Sequence, residues 1–212
     1  MLDHAYEIED GRFLVKLARH ALEEYLTQKS EIAIPDDTPN HLRVESGVFV
    51  TLNKVQGEQS VLRGCIGRPY PAQSLVQATI ESAIDAAVND PRFPPVRAAE
   101  LDSITLDLSV LTPPTKIEYD EPGQLLEKVQ VGRDGLIAVR GAWRGLLLPQ
   151  VPVEWGWDVK EFLEHTCNKA GLPRNAWMDP QTEFYAFQAD VFGEKKPKGE
   201  VVRNPKGEVC RS

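Results

Sequence analysis

The sequence has little cysteine: Cys65, Cys167 and Cys210 lie far apart in 212 residues. Such spacing excludes a disulfide framework and any CxxC metal knuckle. No apolar run approaches the roughly 20 residues of a transmembrane helix. The first eight residues carry acids and a histidine where a secretory signal has a basic and then an apolar stretch. We therefore expect a cytoplasmic protein with reduced cysteines and no membrane association.

Positive charge is also scarce, since 24 Lys and Arg face 32 Asp and Glu, which gives a net charge of -8. Phosphate binding relies on a surplus of Lys and Arg, so the balance disfavours nucleic acid as a partner. The four histidines are isolated and no His, Cys or acidic cluster has metal-ligand spacing, so no metal site is predicted. No GxGxxG, P-loop or GxSxG pattern is present either, and the sequence specifies no cofactor.

Hydrophobic periodicity predicts a regular set of elements, because apolar residues recur at helical spacing in some segments and alternate in others. We expect helices over 10–28, 73–88 and 158–170, and strands over 48–54, 60–66, 104–111, 135–139, 144–148 and 184–192. The segment 149–157, rich in Pro and Trp, is expected to be a loop. Asp158 is a candidate N-cap, and Gly171 suits the position after a helix end.

The two halves of this pattern run in the same order: strand, strand, helix, strand. We interpret it as an α+β fold of two subdomains, with duplicated ββαβ units, mostly antiparallel sheets and an added N-terminal helix. The predicted organisation is one domain over residues 1–192, with subdomains at about 42–115 and 130–192, the helix 9–29 packed on the core, and an extended tail over 193–212.

The hexapeptide Leu62-Arg63-Gly64-Cys65-Ile66-Gly67 is the densest functional signal. Side chains alternate along a strand, so Leu62 and Ile66 are expected to point to the core and Arg63 and Cys65 to share the other face. A guanidinium beside a thiol favours the reactive thiolate. Gly64 and Gly67 suggest close approach of a ligand or of another backbone. The other interpretation is a buried, inert Cys65 with glycines that serve packing.

Two further segments offer polar groups for a site. Three prolines fix the loop 89–95, which holds Asp90 and Arg92 at the end of a helix. Gln150 follows a predicted buried strand and could hydrogen-bond a substrate. A Cys–His dyad that joins Cys65 to His41 or His165 also stays open, since such partners meet in space.

The chain resembles the AMMECR-one domain family through its hexapeptide at 62–67. Further agreement comes from Asp-Pro-Arg-Phe-Pro-Pro at 90–95, Ser-Val-Leu-Thr-Pro-Pro at 109–114 and Gly-Leu-Leu-Leu-Pro-Gln-Val at 145–151. The resemblance covers roughly residues 10–195. It implies two subdomains that meet at a cleft near the hexapeptide, and a functional link to Memo-like and radical S-adenosylmethionine proteins. No catalytic role transfers with the motif.

Two hypotheses for function follow. In the first, the protein is an enzyme or small-ligand protein, with Cys65 as nucleophile or contact and Arg63 as anion anchor; Gly64, Gly67, Asp90, Arg92 and Gln150 are the candidate ligand contacts. In the second, it is a non-catalytic adaptor or regulator in which the hexapeptide is structural and a protein partner binds elsewhere. Fold and family do not by themselves decide between them.

Overall fold

The computed structural model describes residues 6–57 and 59–203. The α-helices are α1 (Ile8–Gln28), α2 (Leu75–Val88), α3 (Leu125–Lys128), α4 (Gln150–Trp155) and α5 (Val159–Lys169). The strands are β1 (Val48–Gln56), β2 (Gln59–Arg68), β3 (Ile104–Leu111), β4 (Thr115–Lys116), β5 (Gly135–Arg140), β6 (Trp143–Leu147), β7 (Glu183–Phe187), β8 (Ala189–Glu194) and β9 (Val201–Arg203). Short 3-10 helices include Ala98–Ser103 and Arg174–Met178.

The chain forms two compact units, one of residues up to 111 and from 190 onward, the other of 112–189. Each unit has its own cluster of buried apolar side chains. In the first unit, the cluster joins α1 and α2 to β1 and β3, with Leu14, Leu22, Val50, Ile80 and Leu106 fully buried. An amphipathic α1 is therefore confirmed, and its apolar stripe is what attaches it to the sheet.

The two sheets share a three-strand pattern. The first has the order β2-β1-β3-β8-β9 and the second the order β4-β7-β5-β6. In each unit a hairpin forms, and the strand after the helix pairs antiparallel with the first hairpin strand, giving β2-β1-β3 and β6-β5-β7. The chain therefore has an α+β fold with duplicated ββαβ units.

The predicted caps of α5 are both present. The Asp158 side chain accepts a hydrogen bond from the Glu161 backbone N–H at 2.8 Å. Gly171 has φ +75°, the left-handed conformation that glycine adopts readily. None of the helices within 6–57 and 59–203 is long and apolar enough to cross a bilayer.

Three elements differ from the sequence prediction. The segment predicted as a loop contains α4, and Pro152 is tolerated there because the first N–H groups of a helix have no intrahelical partner. The predicted strand 184–192 is two strands, which separate where Gln188 and Thr112 bond to each other. Within the predicted tail, Val201–Arg203 pairs with β8, and residues 204–212 lie outside the described part.

Candidate functional site

The hexapeptide lies in β2, at the edge of the first sheet. Close packing leaves no room for a side chain at either of its two glycines. A Cβ added at Gly64 would stand 1.9 Å from the Ala86 carbonyl oxygen of α2, and one at Gly67 would stand 2.3 Å from the Phe49 ring. Both contacts are far inside van der Waals range. Gly64 and Gly67 therefore permit close packing of the strand against its neighbours, and their predicted role in ligand binding stays a prediction.

A β-bulge interrupts the strand in the middle of the motif. Gly64 pairs with Leu52, whereas Asn53 pairs with Leu62, so Arg63 is the extra residue. A bulge reverses the alternation of side chains on either side of it. Ile66 packs against the first core cluster as predicted, but Leu62 stands opposite Asn53 on the other face.

The prediction that Arg63 and Cys65 share a face was therefore wrong. The Arg63 side chain bonds to Glu100, as does Lys54, which lies on the same side of β1 as Leu52. Cys65 pairs instead with Thr51, on the opposite face. Sequence alternation missed this arrangement because bulge formation depends on the pairing of two strands.

Cys65 is closely surrounded by protein. Thr51 Oγ1 donates a hydrogen bond to Cys65 Sγ at 3.2 Å, and the residue is 4% exposed. It is also disulfide-bonded, which differs from the expectation of reduced cysteines. The sulfur is thus not a thiolate in this structure, and its chemical role stays a prediction.

Asp90 and Arg92 hold the outer edge of the hexapeptide. Asp90 Oδ2 accepts a hydrogen bond from the Cys65 backbone N–H at 2.8 Å, and Arg92 Nη2 donates one to the Cys65 carbonyl oxygen at 3.3 Å. Arg92 also donates to both carboxylate oxygens of Asp90. Since β2 is an edge strand, these bonds satisfy backbone groups that no further strand pairs.

The same bonds keep Asp90 ionised. Hydrogen bonds from the Arg92 side chain and the Cys65 backbone lower the pKa of Asp90 to about 2, although the residue is only 4% exposed. A carboxyl group with a depressed pKa stabilises the fold above its unfolded pKa of about 3.9, and the stabilisation is lost as the pH falls through the folded value.

We expect Asp90→Asn to lower the free energy of unfolding by about 2 kcal/mol at pH 7, because a pKa unit corresponds to about 1.4 kcal/mol. The difference from wild type should shrink between about pH 4 and pH 2. Urea unfolding at several pH values measures this. Asp36→Asn, at an exposed position, is the control and should leave the midpoint unchanged. A penalty that stays constant down to pH 2 would contradict the role of the carboxylate charge.

Hydrogen bonds to neighbouring segments hold the Arg63 side chain on the face of the first sheet that α2 covers. Its Nε and Nη2 donate to the two Glu100 carboxylate oxygens at 3.3 and 3.1 Å, and its Nη1 donates to the Pro94 carbonyl oxygen at 2.8 Å. Lys54 Nζ lies 3.2 Å from the same carboxylate. The Arg63 hydrogen bonds, with contributions from Arg97 and Lys54, lower the pKa of Glu100 to about 2.

These residues line a cavity of about 930 Å³ within the first unit. Its wall contains the end of α1, Arg63, the loop after Asp90 and the start of a 3-10 helix. The lining residues are Leu26, Lys29, Lys54, Arg63, Phe93, Pro94, Pro95, Val96, Arg97, Ala98, Ala99 and Glu100. A cavity of this size accommodates a typical small molecule.

Four of the polar lining residues were not predicted from the sequence: Lys29, Lys54, Arg97 and Glu100. They come from segments that are far apart in the sequence, from Lys29 to Glu100, and none belongs to a local motif. Only the prolines at 94 and 95 gave a signal nearby, because they fix the loop that forms one wall.

The remaining predicted groups lie elsewhere. Gln150 belongs to the second unit as the first residue of α4, and its buried Nε2 has no hydrogen-bond partner among the described residues. His41 Nε2 lies 2.7 Å from Asp10 Oδ1, and His165 stacks on Trp157 at 3.8 Å. Within the described ranges, no three His, Cys, Asp or Glu side chains are grouped to hold a metal ion.

Comparison with known proteins identifies relatives along nearly the whole chain. A protein of Thermococcus gammatolerans is 56% identical over 203 residues, which cover 94% of this chain and 98% of that protein. A protein of Methanothermobacter thermautotrophicus is 53% identical over 186 residues, covering 88% and 95%.

A solved structure agrees with the fold as well. The crystal structure of the uncharacterized protein PH0010 from Pyrococcus horikoshii superimposes with a TM-score of 0.82 at 54% identity, and the match covers 93% of this chain and 97% of that one. The AMMECR1 family model matches residues 15–192, a span that includes the hexapeptide, the Asp90 loop and the cavity wall. The resemblance first indicated by the motifs is thereby confirmed, and the chain belongs to the AMMECR1 family.

Proposed function

We propose that this protein binds a small molecule in the cavity beside Arg63. The observation that carries the proposal is the cavity itself, since Arg63 of the hexapeptide and residues 93–95 of the proline-rich loop line it together although they are separate in sequence. A cavity lined by both apolar and polar groups is the usual form of a ligand site.

The contacts suggest different roles for the two motif residues. Arg63 lines the cavity, and three of its five N–H donors are used by Glu100 and Pro94, which leaves donors for a ligand. Cys65 lies on the other face of β2, so we do not assign it a contact with a ligand in this cavity. A small-molecule enzyme that uses Cys65 therefore requires a second site, and the binding function is the better supported form of the hypothesis.

We expect Ala98→Trp to weaken ligand binding, because Ala98 is exposed at the cavity wall and a bulky ring there would fill the space without disturbing the core. Ligand-observed NMR with a library of metabolites would identify binders of the wild-type protein, and each binder would be titrated against the variant. The dissociation constant should rise at least tenfold, about 1.4 kcal/mol.

Ala72→Trp is the matched control, since Ala72 is an exposed alanine of the same unit outside the cavity lining. Binders should keep their affinity for this variant. Equal affinities for the wild type and Ala98→Trp would mean that the ligands bind elsewhere, and a library without binders would count against the proposal altogether.

The alternative function is a non-catalytic adaptor in which the hexapeptide is structural. Its support is a set of exposed apolar side chains in the second unit, where Trp143, Val153, Trp155 and Met178 are each 58–64% exposed. A link to Memo-like or radical S-adenosylmethionine proteins fits either function. Complementation of a deletion strain separates them: Ala98→Trp should fail if the cavity is the functional site and succeed if the adaptor surface is.

A further inference from the structure

The cavity beside Arg63 has an unusual charge for this protein. Of the residues that the structure describes, four cationic side chains line it, those of Lys29, Lys54, Arg63 and Arg97, and Glu100 is the one acidic residue among them. Four positive charges against one negative charge leave a surplus of three. The chain as a whole has a net charge of -8, so the cavity is a local exception to the overall balance.

The hydrogen-bonding capacity of the Glu100 carboxylate is already used by protein groups. Its carboxylate accepts hydrogen bonds from Lys54, from two nitrogens of Arg63 and from the backbone N–H of Arg97, all at 3.1–3.3 Å. It therefore holds Arg63 and Lys54 at the wall and has little capacity left for a ligand. Its charge offsets one of theirs.

Lys29 and Arg97 supply the charge that is not offset. Both are exposed, and neither forms an ion pair with any residue in the described ranges. Lys29 Nζ lies 5.5 Å from the centre of the Tyr25 ring, a contact that leaves its N–H donors available. The rest of the lining is mostly apolar, with Leu26, Phe93 and Val96 among its members.

Resting on the small-molecule function proposed above, we propose that the ligand is a phosphate monoester with an apolar body. Its dianionic phosphate would lie between Lys29, Arg97 and the free donors of Arg63, and its body would lie on the apolar lining. A dianion with three acceptor oxygens matches several separate cations better than a single carboxylate, because each cation can take its own oxygen.

The test compares 1-naphthyl phosphate with its neutral parent 1-naphthol and with inorganic phosphate, all by isothermal titration. In 0.1 M NaCl we expect 1-naphthyl phosphate to bind at least tenfold more tightly than either of the other two. The advantage over 1-naphthol should narrow in 1 M NaCl, since the Debye length falls from about 10 to about 3 Å.

Charge removal at the cavity provides the second arm. The double variant Lys29→Gln/Arg97→Gln should lower the affinity for 1-naphthyl phosphate tenfold or more and leave the affinity for 1-naphthol unchanged. Lys16→Gln/Lys169→Gln, which removes two exposed charges outside the cavity, is the control and should change neither.

The outcomes separate this inference from the function on which it rests. If 1-naphthol binds as tightly as its phosphate and Ala98→Trp weakens both, the cavity is a ligand site but the anion inference is overturned. If inorganic phosphate binds as tightly as 1-naphthyl phosphate, the inference that the ligand has an apolar body is overturned, and the cavity is an anion site alone. If none of the three binds and the metabolite library also yields no binder, both proposals fail.

Discussion

Gly64→Ala is expected to lower the free energy of unfolding by about 3 kcal/mol or more. The added methyl group would stand 1.9 Å from the Ala86 carbonyl oxygen, and a backbone atom inside a helix cannot move aside as a flexible side chain can. Either α2 or β2 must shift, which disturbs the buried contacts between them. Overpacking of a tight interior costs about 1–3 kcal/mol, and a clash with backbone lies at or above the upper end.

The second unit offers the same experiment. Gly145 lies in β6, the counterpart of β2, and a Cβ there would stand 2.1 Å from the Ala170 backbone nitrogen at the end of α5. Gly145→Ala should therefore also be strongly destabilising. Gly123→Ala is the control, because no atom of the described residues lies within 4 Å of its added methyl group and its φ is not positive. It should change the free energy of unfolding by less than about 0.5 kcal/mol.

The tryptophans make the measurement specific to one unit. All four, Trp143, Trp155, Trp157 and Trp177, belong to the second unit, so their fluorescence reports on it, whereas far-UV circular dichroism reports on both. If Gly64→Ala lowers the urea midpoint by both probes, the units unfold together; if only the circular dichroism changes, the first unit unfolds alone. Wild-type midpoints by both probes would show that α2 and β2 are not in the close contact described.

The two glycines made the hexapeptide stand out in the sequence, but the sequence did not show what they contact. Two glycines in six residues indicated a close approach, and the structure identifies the approaching atoms as Ala86 of α2 and the ring of Phe49. Local periodicity was sufficient for α1, α2 and α5, because each has one apolar face that must be buried. It was sufficient for the hairpins as well, since their strands alternate and are joined by short turns.

The face of the sheet to which the Arg63 side chain points could not be predicted in the same way. Alternation holds only along an uninterrupted ladder, and the bulge at Arg63 depends on how β2 pairs with β1. The cavity charge was hidden for a related reason: neither Lys29 nor Arg97 belongs to a motif, and the two line one cavity only because α1 packs against the 3-10 helix. Long-range pairing, which no window of sequence contains, determined both features.

The buried ion pair between Arg19 of α1 and Glu194 of β8 is expected to have the other large effect. Their side chains are 9% and 4% exposed, and Arg19 Nε and Nη2 donate to the two carboxylate oxygens of Glu194. Arg19 also donates to the carbonyl oxygens of Leu101 and Ile104, and Glu194 accepts from the Leu106 backbone N–H. The pair thus connects α1, β3 and β8, including a strand at the start of the segment predicted as a tail.

Removing one partner leaves the other charge buried and uncompensated, which costs more than the net contribution of the pair itself. We expect Glu194→Ala to lower the free energy of unfolding by about 3–5 kcal/mol, measured by urea unfolding at pH 7. Glu200→Ala breaks the exposed Lys195–Glu200 pair on the neighbouring turn and should leave the urea midpoint within error.

The double variant Arg19→Met/Glu194→Met distinguishes an uncompensated charge from lost packing. Two apolar side chains of similar length leave no charge buried, so the double variant should be more stable than Glu194→Ala. Recovery should nevertheless be incomplete, because the carbonyl oxygens of Leu101 and Ile104 lose the guanidinium that satisfies them. A double variant as unstable as Glu194→Ala would mean that the uncompensated charge is not the source of the cost, and that the hydrogen bonds to the backbone of Leu101, Ile104 and Leu106 are.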